Sequence, residues 1–325
     1  MQSTSGSPPG VVVILGTGGT IAGTAASAAR HVGYQAGVLG ADALVAAVPA
    51  LQGWPLEAET LARLDSCDMD HATWAALAQR AALHLARPDV AGVVVTHGTD
   101  TLEETAYFLH RTVAAAKPLV LTAAMRPATA LSPDGPQNLF DAVTLAREPG
   151  VRGVLAVLGG VVHAGCSLRK LHGYRVDAFG SGDAGPVALL EDGRVRLLRP
   201  WPDAPLHPAV AQAADSLRAA SRWPVVDIVS SHAGARGEVI DALVAAGARG
   251  LVIAGTGNGS VHAELRAAAR RAVAAGAVVR RASRCLLGGV VVGQDGGGPD
   301  ALPATGELTP VQARIELLLD LLAAG

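Results

Sequence analysis

The chain has 325 residues, 50% of them hydrophobic and 17% charged, which supplies apolar material for more than one buried core. The formal net charge is −2 with Lys and Arg scattered, so the chain carries no electrostatic footprint for nucleic acid or a membrane surface. Three dispersed cysteines (Cys67, Cys166, Cys285) form no CxxC pair and ten dispersed histidines form no HExxH, so neither a disulfide framework nor a metal site is expected, and no cofactor is called for.

Residues 1–10 are polar and rich in breakers, without a basic segment followed by an apolar one, which reads as no signal peptide and a cytoplasmic location. No apolar run reaches membrane-spanning length. Val11 to Leu15 is a β-branched apolar run that predicts a first buried strand. It opens into Gly16–Gly23, a small polar loop. The third glycine of a GxGxxG dinucleotide fingerprint would fall at Ile21, and no Gly-Lys-Ser/Thr follows, so nucleotide-binding readings fail. What remains is Thr17 and Thr20 beside glycine amides, the arrangement a hydroxyl nucleophile with a nearby oxyanion site requires.

Residues 23–40 hold four glycines around Tyr34 and little apolar periodicity, which suits either a lid or an ordinary glycine-rich connection. A short helix is expected over 42–48, ended by Pro49. Leu61 to Leu64 then spills into Asp65-Ser66-Cys67-Asp68, where Ser66 is either a ligand contact or a helix cap. Apolar spacing through Trp74, Leu77, Ala81 and Leu85 predicts the helix that follows.

The stretch 92–108 is the most informative. Gly92 to Val95 reads as a buried parallel strand, and Thr96 to Thr101 places Thr96, His97, Thr99 and Asp100 where an open α/β sheet binds ligands. Thr101 with Glu104 fits a capping box for the next helix, but one cap needs one such residue and this loop offers five polar ones around Gly98. Further strands are expected at 118–122 and 153–158, with a helix at 134–146. Lys170 lies in a weakly patterned stretch, where it is a surface charge unless the fold returns it to the sheet.

Five prolines lie between Pro200 and Pro224, and a polar helix-like run spans 209–221. The domains are therefore expected at 1–196 and 224–325, with 197–223 as linker. The second domain restarts the βα alternation: strands at 225–229, 250–254 and 277–281, helices at 238–245, 261–274 and 310–322. The fold class is α/β, a larger N-terminal, mostly parallel sheet with flanking helices plus a smaller C-terminal α/β domain. Asn258, in Gly255–Ser260, is either a turn residue or a polar group delivered to a site at a strand end.

Two of these loops carry a resemblance. Gly18-Gly19-Thr20-Ile21-Ala22-Gly23 and the run Thr96 to Phe108 are similar to the two signature segments of bacterial-type L-asparaginases and glutaminase-asparaginases. Ala124-Met125-Arg126-Pro127, Asp134-Gly135-Pro136, the Gly255–Gly259 loop and Pro310 to Arg314 extend it from about Val11 to the C-terminus. The resemblance implies hydrolysis of the side-chain amide of L-asparagine through a threonine acyl-enzyme, with some glutaminase activity, in a tetramer of two intimate dimers. It assigns Thr20 as nucleophile, Tyr34 as lid residue, and Thr99 with Lys170 as a second hydroxyl and its ammonium partner. Asp100 takes the α-ammonium of the substrate and Ser66 its α-carboxylate. Cys67 and Ala124 join the substrate contacts, and Asn258 reaches the site of an adjacent subunit.

Two departures concern anchoring. Cys67 stands where the family's periplasmic members usually carry Gln, and the stretch Gln294 to Asp300 lacks the Glu many of them place near the substrate amine. The rival readings are an amino-acid racemase-like enzyme, which calls for paired cysteines that these spacings do not supply, a nucleotide-binding or sensor module, and a catalytically weak asparagine-binding protein.

Overall fold

The apolar run at Val11 continues to Gly18 as β1, and every residue from Val12 on is buried. It lies between β2 (Leu56–Leu64) and β3 (Val90–Thr96), parallel to both, with Ile14 opposite Ala58 on one side and Val94 on the other. The computed structural model describes residues 10–29, 33–203, 205–208, 210, 223–293 and 302–324. They fall into two compact units, Met1–Leu206 and His207–Gly325, which divide inside the proline-rich stretch. The run at 209–221 and the segment Gln294 to Asp300 lie outside the described residues, apart from Val210.

In the first unit β4 (Pro118–Thr122) and β5 (Gly153–Leu158) extend the parallel sheet beyond β3. Antiparallel β6 (Val161–Ala164), β9 (Ala188–Glu191) and β10 (Arg194–Leu197) complete eight strands in the order β10-β9-β6-β5-β4-β3-β1-β2. A separate ribbon pairs β7 (Arg169–Lys170) with β8 (Phe179–Gly180). The sequence reading finds β1, β3, β4 and β5, registers only the Leu61–Leu64 end of β2 without assigning it as a strand, and misses the antiparallel strands. Their signals are nonetheless present: Gly159-Gly160 and Asp192-Gly193 both sit at positive φ and turn the chain back through two-residue hairpins.

Helices cover both faces because successive strand side chains point opposite ways. Val12, Ile14 and Val94 pack with Ala41 and Leu44 of α1 (Ala41–Ala46) and Leu139 and Val143 of α4 (Gly135–Arg147). α2 (His71–Leu85) and α3 (Leu102–Thr112) pack on each other, Trp74 stacking on Phe108 with ring centroids 4.8 Å apart. Since the chain leaves β1 for β2 on one side and returns to β3 on the other, the order reverses at β1, and the crevice at the carboxyl ends of β1 and β3 is where such sheets bind ligands.

The second unit is a parallel sheet of β11 (Val226–Ser230), β12 (Gly250–Gly255) and β13 (Val278–Ser283), with helices Glu238–Ala245, Ala263–Ala274 and Pro310–Ala323. The last helix opens with a capping box, Thr309 and Gln312 each bonding the other's backbone. No helix among the described residues is long and apolar enough to cross a membrane.

Candidate active site

Three loops meet at the carboxyl ends of β1, β2 and β3, and glycines let them touch backbone to backbone. Gly19, at φ 79°, packs so closely that a Cβ there would lie 2.2 Å from the Gly98 Cα. A Cβ on Gly98 would lie 2.4 Å from the Ser66 Oγ. Thr20 and Thr99 follow these two glycines, so the loops that carry them meet backbone to backbone next to Ser66.

Thr20 opens a short 3₁₀ turn, Thr20–Ala22, and is only 4% exposed. Its Oγ1 is 2.5 Å from the Tyr34 Oη. The glycine-rich segment that carries Tyr34 folds back on this turn: Thr24 and Gln35 bridge antiparallel, and the Gly37 amide donates to the Gly19 carbonyl. Burial pushes the Tyr34 phenol above its ordinary value, the hydrogen bond with Thr20 opposes that shift, and the charges of Asp65 and Asp100 add to it. The phenol is thus protonated at neutral pH.

Thr99 is 6% exposed, and its Oγ1 accepts from the Lys170 Nζ at 3.0 Å. The same ammonium meets Asp100 Oδ1 at 2.5 Å. Lys170 is therefore not a stray surface charge: its side chain is 15% exposed, whereas that of Asp100 is 54% exposed and open to a ligand. Ser66, 2% exposed, accepts from the Asp100 amide at 3.1 Å, and its own hydroxyl proton remains for another acceptor. Its carbonyl accepts from the Thr101 hydroxyl at 2.7 Å. That bond replaces the expected capping box, since the Thr101 side chain does not cap α3.

Cys67 follows on the surface of the Ser66–Asp68 turn. Lost hydration and the carboxylates of Asp65, Asp68 and Asp100 push its thiol up, so it stays protonated beside the site. Ala124 is fully buried after β4. The turn beyond it is held by Asp134, whose two carboxylate oxygens accept from the Met125 and Arg126 amides at 2.9 and 3.0 Å.

His97 does not face the site. The Gly98 carbonyl can only accept, so His97 Nδ1, 2.7 Å away, carries a proton and donates to it. Burial lowers the His97 pKa to about 4, so the ring is neutral and its Nε2 accepts from the Thr105 hydroxyl 2.9 Å away. That hydroxyl itself accepts from Trp74 Nε1 at 2.8 Å. The imidazole buttresses the loop.

Asn258 belongs to the second unit. Its Nδ2 donates to the Val291 carbonyl at 2.8 Å and its Oδ1 accepts from the Val291 amide at 2.7 Å, leaving a second N–H and a second lone pair. Glu103, which nothing in the sequence singles out, accepts from the Lys170 amide at 3.3 Å. Burial raises its carboxyl to about 7, while Arg169 and Lys170 oppose that shift.

The arrangement is that of an α/β enzyme whose hydroxyls, ammonium and carboxylate gather at the point where strand order reverses. Comparison with known proteins then fixes the family. Residues 11–203 match the family model "Asparaginase, N-terminal", and residues 225–324 match "Glutaminase/Asparaginase C-terminal domain". The chain is 38% identical to L-asparaginase 2 of Bacillus subtilis over 311 residues, covering 95% of this chain and 81% of that one. It is 37% identical to L-asparaginase 2 of Escherichia coli, over 95% of this chain and 88% of that one. A crystal structure of a probable cytoplasmic L-asparaginase from Campylobacter jejuni superposes with a TM-score of 0.88 at 35% identity, covering 96% and 95% of the two chains. The chain belongs to the asparaginase family and is an amidohydrolase of that type.

Proposed function

We propose that this protein hydrolyses the side-chain amide of L-asparagine to L-aspartate and ammonia, with Thr20 as the nucleophile and an acyl-threonine intermediate. The observation that carries this reading is the buried Thr20 hydroxyl, 2.5 Å from Tyr34, on a loop packed against the one bearing Thr99 and its Lys170–Asp100 pair. A threonine is unreactive at its free pKa and needs a partner for its proton. Tyr34, held as a phenol, serves as a relay and a closing residue, not as a tyrosinate base. Lys170 as an ammonium can only donate to Thr99, so the Thr99 hydrogen is turned outward, where a substrate or water accepts it.

The two ends of the substrate find complementary partners: the half-exposed Asp100 carboxylate for the α-ammonium and the Ser66 hydroxyl for the α-carboxylate. Pinning both ends holds the amide within attack range. Ala124 and Cys67 line the pocket in this reading, and Cys67, shorter than a glutamine, leaves room for glutamine as a slower substrate. A glutaminase-asparaginase of Pseudomonas fluorescens, 36% identical over 287 residues, is consistent with that side activity. We further read the protein as cytoplasmic and as a homotetramer of two intimate dimers in which Asn258 completes a neighbour's site.

The test is ammonia release from L-asparagine, L-glutamine and their D-forms by the purified protein. Release fastest from L-asparagine is expected. Binding of L-asparagine without ammonia release would leave only a binding protein, and loss of optical rotation without ammonia would mark a racemase.

A further inference from the structure

Lys170 is the least secured of the site's charged groups. It sits on β7, two residues long and outside the eight-stranded sheet, and the one strand paired with β7 among the described residues is β8. Nevertheless its ammonium must stay between Thr99 and Asp100, which belong to the loop after β3. Besides that ammonium, a side chain of α3 reaches β7. Glu103 lies in the first turn of α3, four residues beyond Thr99, and its Oε2 accepts from the Lys170 backbone amide at 3.3 Å. The loop that presents Thr99, the helix that follows it and the strand that presents Lys170 are thereby tied by one carboxyl group.

Resting on the amidohydrolase reading above, we propose that Glu103 is a positioning residue: it anchors the Lys170 backbone and so holds the ammonium on Thr99 and Asp100. An acidic residue in a first helical turn has an ordinary role, opposing the helix dipole. That role is served by a side chain in water, whereas this one is half-buried and spends an oxygen on another element. The charged groups facing it are Glu104 on its own helix and Arg169 and Lys170 on β7. With its carboxyl titrating near 7, the ionised form above that pH is the stronger acceptor for the Lys170 amide. The anchor therefore tightens as pH rises through neutrality.

Two variants separate anchoring from charge. Glu103→Gln keeps an acceptor of the same length, and Glu103→Ala removes it. With L-asparagine, Glu103→Ala is expected to lose about tenfold to a hundredfold in kcat, as a misplaced catalytic group does, with a smaller change in KM. Glu103→Gln should retain most of kcat near neutral pH but lack the rise with pH expected of wild type around 7. Unchanged kcat in Glu103→Ala overturns the proposal, and so does equal loss in both variants. If Glu103→Ala fails to fold, Glu103→Asp, one methylene shorter, withdraws the acceptor and serves in its place. A crystal structure of the variant reads the same contact without any assay: Lys170 Nζ still on Thr99 Oγ1 overturns the proposal even if L-asparagine is not the substrate. Wild type inactive on L-asparagine would sink the functional reading alone.

Discussion

Thr20 and Thr99 are the same residue in the sequence and different groups in the fold. One hydroxyl meets a phenol, the other an ammonium, and the difference comes from elements far apart in the chain, at Tyr34 and Lys170. Both threonines are legible from their strand-end loops, whereas Lys170, in a weakly patterned stretch, and Glu103, in a helix's first turn, have no local signature. Cys67 offers a direct residue-scale prediction. Cys67→Gln restores an amide beside Ser66 and is expected to lower KM for L-asparagine, with up to roughly 1.5–3 kcal/mol from a hydrogen bond to a charged group. An unchanged or raised KM would mean the turn presents that side chain elsewhere. The buried histidines set an acid limit. His97 and His163 both have pKa values lowered to about 4 by burial, against about 6.5 in the unfolded chain. Their contribution is complete above 6.5 and is lost as pH falls towards 4, because the unfolded chain takes up protons first. Each difference is worth on the order of 3 kcal/mol. Thermal melts should therefore fall steeply over that interval, and His163→Gln should flatten part of the slope. A flat wild-type profile would show that the imidazoles are hydrated.

At the scale of elements, β1, β3, β4 and β5 announce themselves as apolar runs buried on both faces, and the sequence reading places them. The edge strand β2, charged and partly exposed along its length, gives no such signal. The antiparallel strands of the large sheet are four residues each, too short for periodicity to register, and only their hairpin turns betray them. The site depends on the better-read part, the packing of the loops after β1, β2 and β3. Gly98→Ala tests it. The added methyl must displace the Ser66 hydroxyl, 2.4 Å away, and crowd the Gly19 backbone, so kcat/KM for L-asparagine should fall by at least about tenfold while the sheet's circular dichroism persists. Near-normal kcat/KM would mean that the loops separate without consequence.

Across the whole molecule, the second unit is legible as a small parallel βα domain, but nothing in a single chain dictates what its Asn258 loop meets. The amide of Asn258 braces the backbone of Val291, with one N–H and one lone pair to spare. If each subunit lends this loop to its neighbour, a two-fold interface makes the loan reciprocal. Thr20→Ala and Asn258→Ala, each weak alone, are then unfolded and refolded together in equal amounts. Random pairing gives mixed dimers in which one site carries both defects and the other neither, so about a quarter of wild-type sites should return. No recovery in confirmed mixed oligomers would place Asn258 outside any neighbour's site.

The central claim is that the Thr20 hydroxyl makes the bond to substrate, and kcat for ammonia release from L-asparagine by Thr20→Ala tests it most directly. Thr20 sits in a loop, so the variant is expected to melt close to wild type. Its kcat should fall by roughly a thousandfold or more, the loss that follows removal of a nucleophile. A folded Thr20→Ala protein that turns over at the wild-type kcat would contradict the account.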